Sequence, residues 1–220
     1  NLHHLAGRLT EHGIALAEAR VIGDDHDTIV AALRALSASH AHVFTSGGIG
    51  PTHDDITADA VAAAFGRDIG VDPEARARLE AHYARTGIDM NDARLRMARI
   101  PEGARLIDNP VSAAPGFAVE NVFVMAGVPK IFAAMLDGVL TGLARGAAML
   151  SRSVVVPRGE GDIAAPLADL AAAFPTLEVG SYPQYADGLF RVAVVMRGTD
   201  AATLDAAAAR LAALFPDALG

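Results

Sequence analysis

The chain has 220 residues, 52% of them apolar, no cysteine, and a formal net charge of −8. Without cysteine it has no disulfide, no thiolate metal site and no thiol nucleophile, and its acidic balance argues against broad electrostatic binding to nucleic acid or anionic lipid. The length admits one large domain or two small ones. No apolar run is long enough to span a bilayer, because Thr141, Gly142, Arg145 and Gly146 interrupt Val139 to Leu150.

No signal peptide is visible, and a cytoplasmic protein is the plain reading. The chain opens mid-pattern on Asn1-Leu2-His3-His4, which leads to the expectation that a natural start is missing. Leu2, Leu5 and Leu9 mark a helical face stopped by Gly13, and Ile14 to Ile22 reads as a strand running to Gly23. One of Asp24, Asp25 and Asp27 is expected to cap the helix that carries Ile29, Val30, Leu33 and Leu36. A strand at Ala41 to Phe44, a glycine loop and a helix from Thr57 to Phe65 closed by Gly66 come next. This alternation indicates a mostly parallel sheet covered by helices, with ligands at the carboxyl ends of its strands.

Asp72-Pro73-Glu74 starts a helix that ends near Gly87, and a short helix follows Asn91. Ala104 to Ile107 reads as a strand. Phe117 to Val119 and Val122 to Met125 flank a hairpin turn at Glu120-Asn121, and Gly127-Val128-Pro129 opens a helix. Beyond Ser151 the order changes to strand (Val154 to Val156), helix (Asp162 to Phe174), strand (Leu177 to Ser181), strand (Leu189 to Met196) and helix (Ala201 to Leu214). The expected architecture is an α/β three-layer sandwich over residues 1–150, followed by a small α+β domain over 151–220.

The most informative segment is Thr45-Ser46-Gly47-Gly48-Ile49-Gly50-Pro51-Thr52-His53-Asp54-Asp55-Ile56-Thr57. Three glycines between a strand and a helix let backbone N–H groups approach an anion. The aspartates at its far end suit a divalent cation. Together they describe a place for a phosphorylated molecule, which an acidic protein can hold only through backbone donors, a metal or local arginines.

These residues resemble the signature of the molybdopterin-binding domain of molybdenum cofactor biosynthesis proteins. The Pro-Thr-His-Asp-Asp version is similar to the competence/damage-inducible protein A branch and to the N-terminal domain of eukaryotic FAD synthases. Ile100 to Ala104, Asn109 to Phe117, Ala126 to Lys130 and Gly180-Ser181-Tyr182-Pro183 agree with that branch, so the resemblance covers nearly the whole chain. Two departures stand out: the branch's opening strand with its Gly-Asp-Glu segment is absent, and so is the amidase domain of longer members. Nicotinamide mononucleotide deamidation is therefore not expected.

The resemblance implies metal-dependent hydrolysis of ADP-ribose-like nucleotide pyrophosphates, with magnesium as the expected ion. It equally brings two alternatives, a molybdopterin-binding or adenylyl-transferring protein of cofactor synthesis and a non-catalytic nucleotide or pterin-binding domain. Carried over by motif, Asp55 matches the aspartate of magnesium-dependent chemistry and Asp24 the other acidic position; the two are expected to hold the metal, with Asp54 or His53 positioning water or substrate. Ser46, Gly47, Gly48, Gly50 and Thr52 belong to the cradle. Ser112, Ala113, Pro115 and Gly116 form a pocket wall, and Gly127, Val128 and Pro129 a second loop. The implied partners are a small nucleotide or pterin and further copies of the chain, with neither nucleic acid nor membrane.

Plainer roles stand beside these. On the residues alone Asp24 is more often a helix cap than a ligand, and Asp54 and Asp55 also suit a helix dipole. Thr57 reads as a cap, and Lys130 as a solvated surface lysine as readily as a phosphate contact. Of Arg94, Arg96 and Arg99, most is read as exposed helix with one arginine reaching the ligand. No lysine follows the glycines at Walker A spacing, and His53 replaces the third glycine of the dinucleotide pattern. Neither Gly-x-Ser-x-Gly nor His-Glu-x-x-His occurs. His40 and His42 read as edge or solvent residues.

Overall fold

Residues 1–186 and 189–219 are described by a computed structural model. Asp187, Gly188 and Gly220, the last being where the small domain of the sequence reading ends, lie outside the described residues. The chain forms two compact units, one of Asn1–Leu9 with Ala15–Ala144 and one of Thr10–Ile14 with Arg145–Gly220. In chain order the elements up to Thr141 are α1 (Leu2–His12), α2 (His26–Ser39), β1 (Val43–Ser46), α3 (Thr57–Phe65), β2 (Ile69–Val71), α4 (Pro73–Thr86) and α5 (Asp92–Leu95). After a 3-10 turn at Arg96–Ala98 come β3 (Arg99–Pro101), β4 (Arg105–Ile107), β5 (Gly116–Val119), β6 (Val122–Met125) and α6 (Pro129–Thr141).

Helix limits fall where the local chemistry sets them. The Asp72 carboxylate accepts from the Ala75 amide at 2.8 Å ahead of Pro73, and the Asn91 side chain does the same for Arg94 at 2.9 Å. Gly66 and Gly87 close α3 and α4 in the left-handed conformation that a Cβ disfavours. Asp25, not Asp24, caps α2 by accepting from the Thr28 amide at 2.9 Å. Hydrogen bonds from the Thr28 side chain and amide hold the Asp25 carboxyl below its usual range.

The central sheet runs β1-β6-β5-β4, with β1 parallel to β6 and the β6–β5 and β5–β4 pairs antiparallel. The single parallel pair carries the helical crossover, and the hairpin at Glu120 (φ 51°) turns the chain back. Ile29, Leu33, Val61 and Leu79 of the helices pack with Val43, Phe117, Val119, Val122 and Val124 of the sheet in one buried cluster. Burial of one such side chain is worth about 1.5–3 kcal/mol. A short ribbon of β2 against β3, which the sequence reading did not anticipate, sits beside it.

The strand expected at Ile14 to Ile22 does not form. That stretch has no regular structure, and Ala15 to Thr28 is exposed, with Val21 at 94%. A strand exists only through a ladder partner, and the alternation of alanines with Glu18 and Arg20 gives it little apolar surface to bury against one.

The second unit contains β7 (Leu150–Val156), α7 (Glu160–Ala173), β8 (Glu178–Ala186), β9 (Leu189–Gly198) and α8 (Ala201–Leu214), in the order predicted. Its antiparallel sheet runs β7-β9-β8. Val192, Val194 and Met196 alternate inward along β9 to meet Ile163, Leu170, Leu204 and Leu211 of the two helices. No helix among the described residues is long and apolar enough to cross a membrane.

Candidate functional site

The glycine loop leaves the sheet at the carboxyl end of the parallel pair. Ser46 stands opposite Met125, and the Gly47 amide extends the ladder by donating to the Met125 carbonyl at 2.9 Å. The Gly127 loop leaves the neighbouring strand at the same end. A Cβ on Gly127 would lie 3.2 Å from the Gly47 Cα, so the two backbones run nearly in contact. The Asn1 side chain ties them together, donating to Ser46 Oγ at 2.6 Å and to the Gly127 carbonyl at 2.8 Å.

Gly47 (φ 103°) and Gly48 (φ 71°) turn the chain in a conformation reserved for glycine. A side chain on Gly48 would overlap the Thr57 hydroxyl, and the Gly48 carbonyl accepts from the Thr57 amide at 2.9 Å. Gly47 spends its N–H on the sheet. Among the described residues, the N–H groups of Gly48, Ile49 and Gly50 donate to no protein acceptor, although all three residues are half-buried.

The helix that follows adds to this surplus of donors. Its N-cap is Ile56, with no side-chain cap, and Thr57 is instead the buried first residue of α3. Helix α6, after the Gly127 loop, begins on Val128 with no side-chain cap and no acid in its first turn. Both helices that follow the parallel strands thus present uncapped ends.

Asp55 closes the loop. Its Oδ2 accepts from the Thr52 amide at 2.9 Å and the Thr52 hydroxyl at 2.6 Å, which leaves Oδ1 without a protein donor. A Cβ on Gly50 would come within 2.6 Å of that carboxylate, which accounts for glycine there. Beyond it His53 and Asp54 stand at an exposed tip, their side chains 99% and 62% accessible and 4.0 Å apart.

Gly48, Gly50, Asp55 and Pro115 line one cleft together with Asp59, Arg96 and Arg99. The other expected wall residues are placed differently. Ser112 Oγ accepts from the Asn109 side-chain amide at 2.7 Å, and Ala113 (φ 64°) completes that turn. Gly116 is buried in β5, where a Cβ would press on the Met135 methyl and the Val124 carbonyl, so its smallness serves packing. Val128 and Pro129 are exposed at the start of α6, and Asp24 lies in an exposed turn outside this cleft. Among the described residues no three carboxylate or imidazole side chains gather as a metal site.

Sequence reasoning missed Asp59, which receives both arms of Arg99 at 2.6 and 2.9 Å. The pair links α3 to β3, and only knowledge of the β2–β3 ribbon brings the two residues together. Arg94 lies over the Tyr83 ring at 5.3 Å and donates to the Asp89 carbonyl. His42 lies 6.0 Å from the Phe123 ring, beside Phe44 stacked on Phe123 at 5.3 Å, a packing role.

The chain is similar to known proteins over nearly its whole length. Residues 1–145 match the family described as "Probable molybdopterin binding domain", and residues 148–219 match "FAD synthase, middle domain". A CinA-like protein of Geobacter metallireducens is 34% identical over 230 residues, covering 100% of this chain and 55% of its own length. A protein of Aeropyrum pernix is 33% identical over 222 residues, covering 95% of this chain and 81% of its own. The crystal structure of the protein CinA from Thermoplasma acidophilum, its function described as unknown, superimposes with a TM-score of 0.60 at 34% identity. That match covers 66% of this chain and 87% of the other. The chain spans about half the length of the Geobacter metallireducens relative. It belongs to the molybdopterin-binding domain family, on the CinA-like side.

Proposed function

With that membership as premise, we propose that the chain is a metal-dependent hydrolase of ADP-ribose-like nucleotide pyrophosphates. The observation that carries the reading is the row of unspent amides at Gly48, Ile49 and Gly50 beside a carboxylate with one free oxygen. A diphosphate needs both, donors for its charge and an anchor for the counter-cation.

The donor set fits magnesium. This ion takes one or two carboxylates and completes its shell with substrate phosphates and water, so a cage of three protein ligands is not required. Asp55 would hold it through the Oδ1 that no protein donor engages, while Asp24 lies in the exposed turn before α2, outside the cleft. The bound ion supplies charge neutralisation and a more acidic water. The chain's own residues do the rest. Gly48 to Gly50 orient the diphosphate and stabilise charge on its non-bridging oxygens. Thr52 fixes the Asp55 rotamer, and Asp54 or His53, at the exposed tip, positions water. The reading carries with it a cytoplasmic, self-associating protein.

A second reading, pterin binding or adenylyl transfer, is favoured by the family's description alone. Product analysis separates the two. Hydrolysis releases AMP and ribose 5-phosphate from ADP-ribose with magnesium, whereas transfer makes adenylylated pterin from ATP. Binding without turnover across several divalent metals selects a non-catalytic domain. In the first case Asp55→Asn lowers turnover by about 100-fold or more, the scale on which one transition-state charge contact acts. Undiminished turnover in a folded variant removes Asp55 from the mechanism.

A further inference from the structure

One arginine of the cleft is left without a partner for its charge. Arg96 follows α5 at the start of the 3-10 turn, and its Nη2 reaches the Asp55 carbonyl at a long 3.4 Å. Its Nε is buried and has no acceptor. A buried guanidinium N–H without an acceptor is costly, and natural structures rarely keep one unless something else satisfies it. Of the carboxylates of this cleft, Asp59 takes both arms of Arg99 and Asp55 takes Thr52 on Oδ2 alone, and neither pairs with Arg96. Arg96 forms no ion pair among the described residues.

The unsatisfied edge is the useful one. Nε and Nη2 lie on the same side of a guanidinium and together make the fork that grips two oxygens of a phosphate. Here one tine is empty and the other holds only a weak contact, so an anion entering the cleft offers far more than the resting position does. Arg94 and Arg99 have no comparable vacancy.

We infer that Arg96 is the anion-binding side chain of this cleft, swinging from the Asp55 carbonyl to grip a phosphate of the diphosphate held by Gly48 to Gly50. This rests on the diphosphate reading above and deepens it. The ligand is held from two sides, by neutral amides on the loop and by a full positive charge on the β3 side. The charge selects ligands with an ionised phosphate over neutral ones of the same shape. Release of the Asp55 carbonyl on binding also couples ligand entry to the loop that carries the metal carboxylate.

The test is calorimetric titration of the whole chain with inorganic pyrophosphate and with ADP-ribose, both with magnesium, for the unaltered protein, Arg96→Gln, Arg96→Lys and Arg94→Gln. Arg96→Gln is expected to raise the Kd for pyrophosphate by about tenfold or more, the worth of a charge-assisted hydrogen bond. Arg96→Lys restores part of this and Arg94→Gln stays near the unaltered protein. A Kd for Arg96→Gln within about twofold of the unaltered protein overturns the inference. Should that variant not fold, the Nε–H resonance of Arg96 decides: it shifts on pyrophosphate addition, and a resonance that stays in place overturns the inference. Arg96-dependent binding without hydrolysis upholds Arg96 and removes the pyrophosphatase. No binding of either probe overturns both.

Discussion

Helices α2 and α4 begin differently from α3 and α6. The first two start on Asp25 and Asp72, each carboxylate accepting from an amide of the first turn. The second two start on Ile56 and Val128, which cap nothing, directly after the loops at the carboxyl ends of β1 and β6. The uncapped start of α3 coincides with the left-handed Gly47 and Gly48, the free amides and the unpaired Arg96 Nε. Where the chain needs only to be stable, polar groups are satisfied locally. Around the glycine loop and its cleft it leaves amides and the Arg96 Nε unsatisfied, which is where a ligand is expected.

The comparison breaks most sharply at Gly48. Alanine there must adopt a left-handed backbone and displace the Thr57 side chain, so Gly48→Ala is expected to cost about 1–3 kcal/mol in a denaturant titration and to abolish pyrophosphate binding. Retained binding would show that the loop's shape is not what holds the ligand. A gentler change, Val128→Asp, gives α6 the cap it lacks. Val128 is 56% exposed, so the carboxylate can be accommodated. Melting should show a gain of about 0.5–1 kcal/mol, while the added negative charge weakens ADP-ribose binding. Unchanged binding would separate the start of α6 from the site.

On the capped side, Asp72→Ala should cost about 1 kcal/mol and leave the Kd for pyrophosphate as it was. Altered affinity would contradict the division between the two kinds of start. The smallest effect is a pH dependence in the second unit. The Thr203 side chain and amide hold the Asp200 carboxyl below its usual range as it caps α8. A carboxylate with a depressed folded pKa stabilises above its unfolded pKa and loses that contribution as pH falls through the folded value. Amide exchange in the first turn of α8 should therefore quicken on acidification below the ordinary carboxylate range, and much less so in Asp200→Asn.

Much of this was legible in the sequence because it is written in short-range chemistry. Asp72-Pro73, Gly66 and Gly87 each stop or start a helix through atoms within four residues, and the hairpin at Glu120-Asn121 is equally local. The glycine loop was legible too, since glycines between a strand and a helix answer a backbone demand. What depends on distant partners was not. Ile14 to Ile22 lacks the ladder neighbour that its alternation presumed, and the three-residue strands β2 and β3 exist only through each other. Thr57 looked like a cap, yet its side chain lies against Gly48 inside the loop. Asp25 rather than Asp24 does the capping, which leaves Asp24 exposed and without that structural duty. Of the three arginines, sequence spacing could not say which was spared a partner; the Arg99–Asp59 pair and the Arg94–Tyr83 contact decide it.

The most direct measurement is a nitrogen-resolved NMR titration of the labelled protein with ADP-ribose and magnesium. The account predicts that the amide resonances of Gly48, Ile49 and Gly50 move together and saturate with one Kd, while that of Gly47, committed to Met125, moves least. If ADP-ribose binds and the three amides stay where they were, the ligand lies elsewhere and the loop is only a turn.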